Sequence, residues 1–133
     1  MKGGESMGTN YYHRTILCDK CGHYVKKHIG KSSGGWCFGL HVYPDEHIND
    51  LQEWEFLWQT GEIFDEYGEK ITPAEMKSII TERGWKGSGL DKTWFSQNSA
   101  EPGPNGLARS KIDGHHCIGN GAGTWDLVVG NFS

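Results

Sequence analysis

No stretch of this chain approaches the ~18 consecutive apolar residues that suggest a membrane-spanning helix, and the N-terminal MKGGES lacks the apolar core of a secretory signal. Both absences predict a protein of a reducing cytoplasm with no membrane partner. Basic charge is also in short supply. Thirteen Lys and Arg stand against 17 Asp and Glu, a net charge of −4, whereas nucleic-acid modules usually carry a net basic footprint. The overall balance therefore favours a protein partner over DNA. Cysteine is limited to four residues, two of them spaced C-x-x-C, which in a reducing compartment reads as thiolate ligands or free thiols, not a disulfide framework. No two carboxylates stand out as an acid and base pair, and there is no internal repeat.

What is present is aromatic and turn-rich. Six Trp, five Tyr and five Phe concentrate buried area in a few large side chains, and 20 Gly predict many tight connections. The length of 133 residues suits one domain, here residues 10–133 after a lead-in over 1–9. Charge is segregated along the chain. Arg14, Lys20, Lys26, Lys27 and Lys31 face only Asp19 between Tyr11 and Gly35, while ten acids face only Lys70 between Asp45 and Glu75.

The stretch from Cys18 to Tyr43 holds three of the four cysteines and three of the seven histidines. NYYHRTIL (10–17) reads as a strand delivering the chain to Cys18-Asp-Lys-Cys21-Gly22, which has the form of a metal knuckle. HYVKKHIG and WCFGLHVY read as two further strands joined by Lys31 to Gly35. Alternation puts Val25 and Ile29 on a core face with Trp36, Phe38, Leu40 and Val42, and sends Tyr24, Lys26, His28, Cys37, His41 and Tyr43 the other way. Zinc needs four donors, and Cys18 and Cys21 are the first two, with His28 the natural third. The fourth stays open between Cys37, His41 and Cys117, because the strand register decides it.

Beyond Pro44, Asp50 or Asn49 can cap a helix to about Gln59 with Leu51, Trp54, Leu57 and Trp58 on one stripe. EIFDEYGEKI reads as a short strand and turn. Thr72-Pro-Ala-Glu75 opens a second helix with a capping box, presenting Met76, Ile79 and Ile80 to the core and stopping at Gly84. Residues 85–111 show no sustained period and predict a long irregular excursion. IDGHHCIGNG reads as a glycine turn and TWDLVV as a closing strand. Gly30-Lys31-Ser32 imitates the end of a phosphate-binding loop, but Val25 occupies the place of its first Gly and no helix follows. His115 and His116 before Asn120 imitate a nuclease metal site, without the downstream helix that such a site needs.

In MGTNYY (7–12), the Cys18 and Cys21 knuckle, HIGKSSGGW (28–36) and DEYGEKITPAE (65–75), the chain resembles a family of small uncharacterised bacteriophage proteins. The likeness covers roughly the first two thirds. It implies a phage or prophage origin, hence a host bacterial cytoplasm, and a zinc knuckle including Cys18, Cys21 and His28. It implies no activity.

The expected fold is α+β: a small antiparallel sheet built on a zinc-knuckle hairpin, with two helices packed on its apolar face. The leading functional expectation is a non-enzymatic phage accessory protein with structural zinc that binds a host or viral protein, in an anti-defence or takeover role. Two others stand beside it: a nucleic-acid binder using Lys20, Lys26, Lys27, Lys31, Tyr24 and Trp36, and a metal-dependent hydrolase using His115 and His116. The expected metal set is Cys18, Cys21, His28, Cys37 and His41, and nothing in the sequence fixes an oligomeric state.

Overall fold

The computed structural model describes residues 8–18, 20, 22–86, 92–112, 116–130 and 132. In chain order these form β1 (Thr9–Cys18), β2 (His23–Ser32), β3 (Phe38–His41), α1 (Leu51–Leu57), β4 (Glu62–Asp65), β5 (Lys70–Ile71), α2 (Pro73–Thr81), α3 (Lys92–Gln97), β6 (Ala100–Pro102), β7 (Ala108–Ser110), β8 (Cys117–Asn120) and β9 (Trp125–Val128). The mixed α+β class is as expected. The lead-in lies outside the described residues up to residue 7, and β1 already begins at Thr9.

β1 and β2 form the long antiparallel pair on which the sheet is built, paired from Thr9 opposite Ser32 to Cys18 opposite His23, with register shifts between Tyr11 and Tyr12 and between Ile16 and Cys18. The seven-stranded order is β5-β4-β1-β2-β3-β9-β8. This sheet is mixed and not purely antiparallel, because β9 runs parallel to β3, with Phe38 opposite Trp125 and Leu40 opposite Leu127. Parallel neighbours need a long crossover, and everything from α1 to β8 supplies it.

α1 and α2 are capped much as their sequences dictate. The Asp50 side chain accepts from the Glu53 amide at 2.9 Å, and Thr72 and Glu75 form a reciprocal capping box with Pro73 at the first helical position. Their apolar stripes bury Leu51, Trp54, Trp58, Met76 and Ile80 against Tyr11, Ile29, Phe38, Leu40 and Ile63 of the sheet. Trp54 is fully buried, and its indole N–H donates to the His41 carbonyl at 2.7 Å. Val25 is a correction. It belongs to the expected core face, yet it is 43% exposed, because β3 pairs with β2 only at Gly30 and Lys31 and the first half of β2 runs on past the core.

The stretch 85–111 is also more structured than its sequence pattern suggests, apart from 87–91, which lie outside the described residues. β6 and β7 pair as a separate two-stranded sheet that buries Ala100, Leu107 and Ala108. Ala108 docks this hairpin to the main fold, donating to Gly35 at 2.7 Å and accepting from the Cys37 amide at 2.8 Å. Gly103 lies close to both, since a Cβ there would be 3.2 Å from the Cys37 sulfur and 3.2 Å from the Leu107 carbonyl, tighter than an ordinary contact. The expected glycine turn before Thr124 contains β8, which pairs with β9 from Cys117 opposite Val128.

Candidate binding face and the histidine pair

α1 and α2 cover one face of the sheet. On the other face, strand alternation collects Tyr12 and Arg14 from β1, Tyr24, Lys26 and His28 from β2, and Phe64 from β4. The expected metal residues divide among three places around this face.

Cys18 and His28 do not come together. The register sets Cys18 opposite His23 and His28 opposite Tyr12, so five residues of extended chain separate His23 from His28, about 17 Å at ~3.3 Å per residue. Donors of one zinc lie within 2.0–2.3 Å of it, so this separation is too long for one tetrahedral site. Cys21 lies outside the described residues. Cys37 is also apart, four residues before His41 along extended chain, about 13 Å on the same rise. Its thiol is buried and pushed up to about 11 by that burial, which keeps it protonated. It lines a groove of about 440 Å³ with Cys117, His116, Lys31 and Trp36, while His115 lies outside the described residues. No group of three or more His, Cys, Asp or Glu side chains placed to hold a metal occurs among the described residues.

His28 and His41 do meet, with their Nδ1 atoms 3.0 Å apart. The hydrogen bonds around them fix where the protons are. Asn10 Oδ1 can only accept, so His28 Nε2, 2.8 Å away, carries a hydrogen, and in the neutral ring His28 Nδ1 is the acceptor. His41 Nδ1 is then the donor. Tyr43 agrees with this order: its hydroxyl donates to the His28 carbonyl at 2.9 Å and offers a lone pair to His41 Nδ1 at 3.2 Å. Tyr43 stacks on His41 at 4.2 Å between ring centroids, and Phe132 lies 4.9 Å from both imidazoles. Burial lowers both histidines to about 4, with His28 and Lys27 adding to the shift at His41. Both rings are therefore neutral at pH 7. Their facing nitrogens are occupied by each other, an arrangement that orders the end of β3.

Next to this pair is a concavity of about 180 Å³ lined by Tyr12, Arg14, Tyr24, Lys26, Phe64, Asp65, Glu66 and Gly68. Arg14 and Lys26 are directly opposed across β1 and β2. Like charges in that relation destabilise a sheet. On its other side Arg14 stands opposite Glu62 of β4, whose carboxylate bonds Lys70, and neither cation is in an ion pair among the described residues. They rest on rings instead. The Arg14 guanidinium lies 4.7 Å from the Tyr24 centroid and 4.2 Å from that of Phe64, and Lys26 Nζ lies 4.3 Å from that of Tyr12. The two acids of the concavity are engaged elsewhere. Asp65 accepts from the amides of Tyr67 and Glu69 at 2.9 Å, and Glu66 accepts from the Asn10 amide at 2.6 Å.

Among the lysines expected to bind nucleic acid, Lys26 is on this face and Lys31 lines the neighbouring groove. Lys27 points to the helical side, 2.5 Å from Glu46 and over the Tyr43 ring. Lys20 is exposed beside the β1–β2 turn. Trp36 packs on Trp94 at 5.6 Å. Sequence reasoning missed Arg14, Tyr12 and Phe64 as site residues. The signal was the period-2 pattern Tyr12-x-Arg14 against Tyr24-x-Lys26, which becomes a cluster once the register is known. No helix among the described residues is long and apolar enough to cross a membrane. Comparison with protein-family models, curated proteins and solved structures gave no match.

Proposed function

We propose that this protein is a non-enzymatic binding module that holds an anionic macromolecule against the face of its sheet opposite the helices. One observation carries the reading: Arg14 and Lys26 are opposed across two strands and packed on aromatic rings, and neither is in an ion pair with a carboxylate among the described residues, although Arg14 also stands opposite Glu62 of β4. A fold retains such a like-charge pair at some cost in stability, and an anion placed between the two would relieve it. The acidity of the chain does not oppose this. Several of its carboxylates are already paired: Glu46 with Lys27, Glu55 with Lys77, and Glu62 on β4 with Lys70. The experiment is elution from immobilised heparin by a salt gradient. Lys26→Glu and Arg14→Glu should each elute at lower salt than wild type, and Lys77→Glu on α2 should elute with it. Equal elution of all four would remove the proposal.

We also infer that the zinc expected at the C-x-x-C turn is held by Cys18, Cys21 and His23. The support is the register: the residue opposite Cys18 is His23, whose side chain is exposed at the start of β2. Soft thiolates and an imidazole are the donor set that zinc prefers. Its role would be to fix the turn at the far end of the β1–β2 pair.

A further inference from the structure

We propose that the anionic macromolecule is single-stranded nucleic acid, with a nucleotide seated in the concavity between Arg14, Lys26, Tyr12, Tyr24 and Phe64; this rests on the anion-binding reading above. Two chemistries are interleaved there at strand spacing. Tyr12 and Arg14 are two residues apart on β1, and Tyr24 and Lys26 two apart on β2, so ring and cation on each strand are separated by about 6.6 Å. Across the strands, Arg14 is in contact with the rings of Tyr24 and Phe64, and Lys26 with that of Tyr12. An unpaired strand offers the matching alternation of phosphate and flat, unstacked base. Base stacking on aromatic rings and guanidinium planes is the usual basis of sequence-tolerant single-strand binding.

An acidic protein segment would satisfy the two cations and make no use of the three rings. A duplex keeps its bases stacked on each other, where this face cannot reach them. Tyr24 is 48% exposed in the free protein, so its ring is available before any ligand arrives. Asp65 and Glu66, which could repel a phosphate, have their carboxylates drawn to the amides of the β4–β5 turn and of Asn10.

The test is fluorescence anisotropy with labelled oligo-uridylate and oligo-deoxythymidylate of about 12 nucleotides, the corresponding duplexes, and labelled polyglutamate, at about 50 mM salt. The site predicts binding of at least one single strand, weaker binding of duplex, and loss of affinity on adding salt. Tyr24→Ala should weaken it by at least about fivefold while Tyr24→Phe restores it, since stacking of one base is worth about 1–3 kcal/mol. Arg14→Gln and Lys26→Gln should each weaken it as well. Polyglutamate bound as tightly as the oligonucleotides and indifferent to Tyr24→Ala would overturn the nucleic-acid proposal and leave the anion-binding module standing. Duplex bound more tightly than single strand would do the same. Binding of neither polyanion at low salt would overturn both.

Discussion

His28 and His41 share one hydrogen bond between their Nδ1 atoms, 3.0 Å long, with Asn10 holding the outer nitrogen of His28. A proton added to His28 must enter this chain, because Nδ1 is that ring's one vacant nitrogen. There it meets the hydrogen of His41 head-on. Burial, the larger influence, acts in the same direction, and both groups are lowered from 6.5 to about 4. A histidine whose folded pKa lies below its unfolded value stabilises the fold fully above about pH 6.5 and loses that contribution as pH falls toward about 4. By about pH 5 the loss is roughly 2 kcal/mol for the first protonation of the pair. Thermal melts between pH 7.5 and 4.5 should therefore show a falling Tm in wild type and a shallower slope in His41→Phe. His13, also lowered by burial, adds the same trend to both proteins and does not obscure the difference. An unchanged slope in His41→Phe would mean that the pair is not what titrates.

The register of β1 on β2 separates the proposed knuckle from the histidine pair, and metal analysis can read that separation directly. Protein purified without chelator is expected to contain zinc that Cys18→Ser, Cys21→Ser and His23→Ala each reduce. His28→Ala, Cys37→Ala and His41→Ala should leave the zinc content as it was. Loss of zinc in His28→Ala alone among the last three would contradict the register. Wild-type protein that carries no zinc would remove the knuckle proposal altogether.

Arg109 and Asp126 form the ion pair that ties β7 to β9. The guanidinium Nε donates to Asp126 at 2.9 Å, its Nη2 donates to the carbonyls of Gly123 and Trp125, and the Ser110 amide bonds the second carboxylate oxygen. Burial raises the Asp126 pKa even so, with Arg109 opposing the shift. Removing one member of such a pair leaves the other charge buried and unpaired, at a cost of about 3–5 kcal/mol. Arg109→Met and Asp126→Ala should each lower the unfolding free energy obtained from urea titration by that amount. The double variant should recover part of the loss, which a set of independent contacts would not do.

How much of this was readable in the sequence depended on whether the signal was local. Asp50, Thr72 and Glu75 determine helix starts within a few residues of themselves, and both helices begin where their caps place them. The alternation of Ile29, Phe38 and Leu40 correctly marks the core face, because period 2 is a local property. Register is not local. Nothing in the composition of HYVKKHIG says which half of β2 is covered, so alternation alone puts Val25 on the core face although its end of the strand is exposed. The parallel pairing of β3 with β9 joins residues far apart in sequence, and no short-range pattern encodes it. The binding face is a further step removed. Its members come from β1, β2 and β4, and only pairing brings Arg14 to Tyr24 and Phe64.

Trp54 links the core to the histidine pair. Its indole N–H donates to the carbonyl of His41, its ring meets Tyr43 at 71°, and Tyr43 in turn stacks on His41. Trp54→Phe keeps most of the buried ring but leaves the His41 carbonyl without this donor, and a buried group left unsatisfied costs about 1–3 kcal/mol. Trp54→Ala adds a cavity among Leu40, Ile63 and Trp58 and should cost about 3–5 kcal/mol. The informative readout is the imidazole NMR signals of His28 and His41. If the indole bond holds the end of β3 in place, Trp54→Phe should shift both sets of signals and raise the pH at which they titrate, because a loosened strand admits water to the rings. A variant that loses stability while those signals and their titration stay fixed would show that Trp54 supports the core alone and that the histidine pair is ordered by Asn10 and Tyr43 without it.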